Sequence, residues 1–365
     1  MNKKVLKNSI IGFTILSGIG IVSSPLKAHA SVVPYSVGVI EPENSLSQSY
    51  FDLLLGAGKS QTVNVQIANN SDREITLETY IAPARTESSG AVIYYDNSDK
   101  VDSSMKYNLS KYTKIDKEIT ISAGQTVKEP IQVTMPNEKF DGVVAGGVVF
   151  KQKNQNVATS SENSNGIAVK NEYQSTVGLL LRQNQNAVAP EINFGSIGTE
   201  IVNGRNFISA HIQNKKMAYI DDVSINAKVV NESDKDSSYY YTNENMQIAP
   251  NSSFDLPIPT STENGNDGYS KPLKAGKYKA TIVVYGNDKS KKSGSDAQPK
   301  YKWTTTKEFT VTSNQAKNIN KLDVTLNPKD KGKLNWVVLS VFGLVAVIAL
   351  GAVIWLISKR SKRKG

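Results

Sequence analysis

Apolar residues that recur at every second position, between turns rich in Asn, Ser, Gly and Pro, constrain this chain more than any other feature. Val63, Val65 and Ile67 alternate with Thr62, Asn64 and Gln66. The same period holds at Ile75, Leu77, Thr79 and Ile81, at Ile131, Val133 and Met135, and at Val177, Leu179 and Leu181. It returns at Ile208–Ile212, Val223–Val229, Phe254–Ile258 and Tyr278–Val284. Successive side chains of a strand point to opposite faces, so each run puts one face on a core and one in water. Asn69-Asn70-Ser71-Asp72 and Asn264-Gly265-Asn266-Asp267-Gly268 read as turns between such strands. The pattern predicts an all-β protein of antiparallel sandwiches.

The runs also repeat. Gly58 leads into an alternating strand ending at Asn69, then a second strand at Ile75–Ile81 and a third at Ile131–Met135. Gly204 leads in the same order to Asn214, Val223–Val229 and Phe254–Ile258. Two sandwiches of related topology account for this, with a break near Asn184–Pro190. We place the first at residues 31–186 and the second at 187–312. Residues 313–335 are polar, rich in Lys and Asn, and read as a stalk.

Charge separates the ends from the middle. The 365 residues carry 43 Lys+Arg and 33 Asp+Glu, a net charge of +10. Nine of those excess charges lie in the first 30 and the last seven residues. The remainder is almost neutral, which argues against nucleic acid as a partner. Residues 1–30 have the form of a secretory signal: Lys3, Lys4 and Lys7, then an apolar run, then Ala28 and Ala30 as the small-x-small cleavage site. Residues 336–357 are uncharged, with Trp336 and Trp355 near the ends and Lys359 and Arg360 opening a basic tail, 358–365. A helix of that length spans about 33 Å, enough for a bilayer core of about 30 Å. The basic tail holds the C-terminus in the cytoplasm, so the expectation is a single-pass cell-membrane protein whose sandwiches lie outside, on the cell-wall side. No Leu-Pro-x-Thr-Gly pentapeptide precedes this helix, so it is expected to remain as the anchor. Cysteine is absent, which rules out disulfides and thiolate metal sites.

Residues with catalytic chemistry are sparse. His211 is the one histidine after residue 30, and its parity between Ala210 and Ile212 turns it to solvent without a partner base. No Gly-x-Ser-x-Gly elbow, phosphate loop or dinucleotide fingerprint occurs. Asn231, Asp234 and Asp236, and Asn264, Asn266 and Asp267, only partly match calcium loops, and β-turns explain both. Neither a metal nor a cofactor is expected. Tyr94-Tyr95 and Tyr239-Tyr240-Tyr241 each place at least one ring in a core, and the rest are candidates for an exposed binding surface. Gly146-Gly147, inside an apolar run, marks a bulge or a close backbone approach.

Several runs carry a resemblance. Pro42-Glu43-Asn44, Tyr50-Phe51-Asp52-Leu53, Gln61–Asn69 and Pro136–Phe150 resemble the first domain of the WxL-interacting proteins of Gram-positive bacteria. Asn171-Glu172-Tyr173, Pro190-Glu191-Ile192, Ile212-Gln213-Asn214 and Ala275-Gly276-Lys277-Tyr278 resemble the second. The resemblance implies two tandem immunoglobulin-like domains, one of peptidoglycan-binding type and one of host-binding type, with WxL-domain surface proteins as partners. It implies a non-catalytic surface adaptor or adhesin rather than an enzyme. A membrane-anchored cell-wall hydrolase using paired carboxylates is the first alternative, and a ligand-binding surface sensor the second.

Overall fold

The computed structural model describes residues 33–153, 172–234, 237–260, 271–288 and 298–326. The expected signal, anchor helix and basic tail, with Ala28, Ala30, Trp336, Trp355, Lys359 and Arg360, lie outside the described residues. Among the described residues no helix is long and apolar enough to cross a membrane.

The first sandwich opens with β1 (Tyr35–Ile40), β2 (Phe51–Leu54), β3 (Ser60–Asn69) and β4 (Ile75–Pro83). A short hairpin of β5 (Arg85–Thr86) and β6 (Val92–Ile93) follows, then β7 (Thr113–Lys114) and β8 (Glu118–Ile121). It closes with β9 (Thr126–Thr134), β10 (Val144–Gln152) and β11 (Gln174–Arg182). One sheet runs β1-β3-β9-β7 and the other β2-β11-β10-β4-β8. All pairings are antiparallel except β2 with β11, which run parallel. Phe51 and Leu53 of β2 thereby join a core that holds Val63, Val65, Ile67, Leu77, Ile131 and Leu179.

The second sandwich contains β12 (Ile192–Val202), β13 (Arg205–Asn214), β14 (Ile220–Asn231) and β15 (Ser238–Ile248). It continues with β16 (Ser252–Pro259), β17 (Gly276–Asn287) and β18 (Tyr301–Val311). Its sheets run β12-β13-β16 and β15-β14-β17-β18. In both halves the first, second and fifth principal strands face the third, sixth and seventh, the immunoglobulin-like arrangement. The internal repeat of the sequence corresponds to β3, β4 and β9 against β13, β14 and β16.

One expectation needs correction, and another is decided between its two alternatives. The polar segment after Val311 begins as a helix, α1 (Ser313–Leu322), rather than a free stalk. Thr312 and Gln315 form a capping box at its start. Ala316 and Ile319, three residues apart on one face, are buried against the second core. Polar anchors replace the missing apolar stripe. Asn320 exchanges two hydrogen bonds with the Leu273 backbone (2.8 and 2.9 Å), and the Asn206 amide donates to Asp323 Oδ2 (2.7 Å). Residues 327–335 lie outside the described residues. Gly146-Gly147 is not a bulge, because β10 pairs with both neighbours without a shift in register. It is a close approach: a Cβ on Gly147 would stand 2.6 Å from the Tyr94 carbonyl oxygen and 2.8 Å from Tyr94 Cβ.

Candidate functional site

The apolar run Val143–Phe150 is buried on both faces, the mark of a strand covered from two sides. Val144, Val148 and Phe150 face the first core. Val143 and Ala145 point the other way, into a separate cluster with Ala84, Leu180 and, from the second sandwich, Ala249. The second sandwich therefore docks on the outer face of the β2-β11-β10-β4-β8 sheet.

Polar contacts fasten this junction. The Ala249 amide donates to Thr86 Oγ1 (2.9 Å), the Thr86 and Ser252 hydroxyls are bonded at 2.7 Å, and Ser252 Oγ donates to the Ala249 carbonyl (3.0 Å). All three bonds are buried, where an unpaired group would cost about 1–3 kcal/mol. The Val143 amide donates to the Met217 carbonyl (2.8 Å), and the Gln247 amide to that of Gly90 (2.9 Å). Gly142 permits the first of these. Its φ is +89°, and a Cβ there would meet the Met217 carbonyl oxygen at 2.2 Å. Asp102 accepts from Gln213 Nε2 (2.8 Å) and from the Ser104 amide (2.8 Å). Burial alone would raise the Asp102 carboxyl, but donors from Ser104, Ser253 and Gln213 outweigh it and hold it below the ordinary value.

Beside the junction lies a cleft of about 870 Å³ that both sandwiches line. Gly147 and Gly178 face each other in register on the outer face of the first sheet, which leaves a shallow trough that neighbouring side chains enter. Tyr94 lies against Gly147, and Tyr50 packs on Gly178, whose Cβ would sit 3.4 Å from that of Tyr50. The Tyr94 and Tyr219 hydroxyls meet at 3.1 Å across the junction. Burial pushes both phenols up, Tyr219 well above the usual tyrosine range. Tyr50 and Tyr95 are exposed at the rim. Gln185, Asn186 and Gln247 add amides. The charged groups have partners within the protein: Arg182 Nε donates to Asp52 Oδ1 (2.7 Å), Asp221 accepts from the neutral Gln247 Nε2, and Asp288 pairs with Lys300. The Lys300 ammonium holds the Asp288 carboxyl below its usual range.

The tyrosines singled out in the sequence separate. Tyr94 and Tyr95 line the cleft. Tyr239 is fully buried and stacks near Tyr278, so it belongs to the second core. Burial and the neighbouring Tyr278 raise its phenol above the usual value. Tyr241 is half-buried against the same core, with its hydroxyl accepting from Asn243. Tyr240 is exposed on the outer face of β15, where Lys228 lies over its ring at 5.5 Å. His211 faces outward as its parity predicts, yet it has a partner: Nδ1 lies 2.9 Å from Asp255 Oδ1 on β16, the strand paired with β13. Asn231 is buried and accepts from the Ser233 amide, and Asp234 pairs with Lys274. Asp236 and residues 264–267 lie outside the described residues. Among the described residues no group of three or more His, Cys, Asp or Glu is placed to hold a metal ion.

Residues 35–152 match the sequence model of the peptidoglycan binding domain of the WxL Interacting Protein, and residues 164–321 match that of its host binding domain. The chain belongs to the WxL Interacting Protein family. Strand β11 falls inside the segment matched as host binding domain, although it completes the first sandwich. The family's domain boundary in sequence is therefore not its boundary in space. No curated protein matches the chain. Solved structures similar to it include the chaperone DraB of E. coli, at 12% identity over 76% of this chain and 98% of that one, TM-score 0.26. The CupB2 chaperone of Pseudomonas aeruginosa is 9% identical over 71% of this chain and 96% of its own, TM-score 0.27. At such scores these likenesses carry no argument about what the family member does.

Proposed function

We propose that the protein is a non-catalytic surface adaptor, in which two locked sandwiches hold wall polymer and partner proteins at the cell surface. The observation that carries this reading is the junction. A peptidoglycan-binding type domain and a host-binding type domain share buried hydrogen bonds, an apolar cluster and one cleft, so a ligand held by one is held rigidly relative to the other. Two carboxylates, Asp221 and Asp288, line the cleft, and a glycosidase would need one of its pair to be an acid with a raised pKa. Asp288 is held low instead. The signal-like residues 1–30 and the apolar span 336–357 support export and anchoring in the membrane, with the sandwiches outside and the tail in the cytoplasm. WxL-domain surface proteins, peptidoglycan and a host extracellular protein are the partners this reading expects.

Purified full-length protein should sediment with intact peptidoglycan sacculi and capture WxL-domain proteins from an extracellular fraction. Failure to bind either would end the reading. External protease should leave the tail protected on whole cells; digestion of the tail would reverse the assigned orientation.

A further inference from the structure

We propose that the cleft between the sandwiches is the glycan site, and that it takes the neutral sugar backbone of the wall polymer rather than its peptides. This rests on the peptidoglycan-binding reading and adds a location, a ligand class and a consequence: neither domain holds the complete site.

Size suits a small ligand. A cleft of about 870 Å³ is on the scale of small-ligand sites, roughly 300–1,000 Å³, and accommodates a few sugar rings. Charge narrows the class further. Arg182 is ion-paired with Asp52 and Asp288 with Lys300, and Asp221 accepts from the neutral Gln247 amide, so no cation among the lining residues is free to draw the carboxylates of a stem peptide into the site. What remains free is of another kind. Tyr50 and Tyr95 are exposed at the rim, and among the described residues the Tyr50 hydroxyl has no hydrogen-bond partner. The Gln185 amide, on the exposed connection between the sandwiches, is also unbonded. An aromatic face has negative charge density that attracts the C–H groups on one side of a pyranose ring, while amides match hydroxyl and acetamido groups on its edge. The Gly147–Gly178 trough keeps the tyrosines low on the sheet, so a flat ring can lie across them.

The two sides of the cleft come from different segments. Tyr50, Tyr94 and Tyr95 lie within residues 35–152 and belong to the first sandwich, whereas Tyr219 and Gln247 lie within 164–321 and belong to the second, with Gln185 on the connection between them. The structure thus joins the two family domains in one binding event.

The test uses the full-length protein in detergent, titrated by calorimetry with two probes: a neutral β-1,4-linked N-acetylglucosamine oligomer and free stem peptide. The oligomer should bind and the peptide should not. Y50A and Y95A should each weaken glycan binding roughly fivefold to tenfold, about the worth of one good aromatic contact. Q185A should weaken it less, and Y240A, on a distant face, should leave it unchanged. Thermal melts would show that all four variants fold; Gln185 lies on an exposed connection and preserves the test if a tyrosine variant does not. Binding of stem peptide in preference to glycan overturns the proposal. If sacculi bind equally well to wild type, Y50A and Y95A, the cleft assignment falls while the adaptor reading stands. If wild type binds no sacculi, both fall.

Discussion

The two sandwiches share a strand order but close their edges differently. In the first, the chain leaves β1 on one sheet and returns as β2 on the other, parallel to β11. In the second, β12 stays with β13 throughout its length, with a register shift between Phe194 and Ile197, and α1 packs over the core instead. Lys307 of β18 donates to the carbonyls of Phe194 and Gly195 and so ties the two sheets together at that shift. The first sandwich also has a long excursion between β4 and β7, which carries Thr86, Gly90, Tyr94 and Asp102 to the junction. Equivalent cores therefore fold from equivalent alternation, while the junction and the cleft are built on the parts that differ.

Removing β11 would break the comparison most severely. A fragment ending at Gln152 follows the family's sequence boundary but exposes the β2 and β10 edges and loses Val177, Leu179 and Leu181 from the core. At about 2 kcal/mol for each buried aliphatic side chain, the loss rivals the ~5–15 kcal/mol stability of a whole domain. Circular dichroism should show that fragment unfolded, and a 33–183 fragment folded. G142V should come next. It forces a β-branched residue into a left-handed conformation and drives its Cβ into the Met217 carbonyl, for roughly 2–4 kcal/mol at the junction. Calorimetry should then resolve two transitions where the parent shows one; an unchanged single transition would mean that the sandwiches do not depend on this contact.

Acid should act on the junction next. The folded pKa of Asp102 is lowered, so its stabilisation is present above the unfolded value of 3.8 and is lost as pH falls through the folded one. The junction should therefore weaken below pH 3.8, and D102N should flatten that dependence. Glu129 gives the smallest effect, confined to the first sandwich. It sits on the inward face of β9 with Oε1 buried and unbonded. Burial, then the nearby Asp116, raises its carboxyl above the ordinary value of 4.5. A raised acid favours the fold below that value and loses the contribution as pH rises through the folded pKa. E129Q should gain about 1 kcal/mol at neutral pH and nothing below pH 4.5. Urea melts at two pH values would detect the difference, and equal gains at both would refute the assignment.

Most of the core was legible. Val63, Val65 and Ile67, Val223 through Val229, and Tyr278 through Val284 occupy the buried faces that their alternation predicts, because burial of apolar surface dominates strand placement. Helix α1 was not legible, because two apolar residues and a set of amide contacts replace the usual stripe. Asp255 beside His211 was hidden too, since a cross-strand partner 44 residues away leaves no local trace. Of the cleft, only Tyr94, Tyr95 and the glycine pair drew attention, and nothing near Tyr50, Gln185 or Tyr219 signals that they converge.

Local alternation by itself determined that this chain is β throughout, which side chains enter each core and that the pattern occurs twice. Each of those properties depends on a residue and its neighbours two positions away. Only the tertiary structure decided that the two cores are locked together and enclose a cleft. Thr86 and Ser252, 166 residues apart, and Tyr94 and Tyr219, 125 apart, lie in segments without periodicity. Their meeting follows from how two complete sandwiches dock, which no short stretch of the chain encodes.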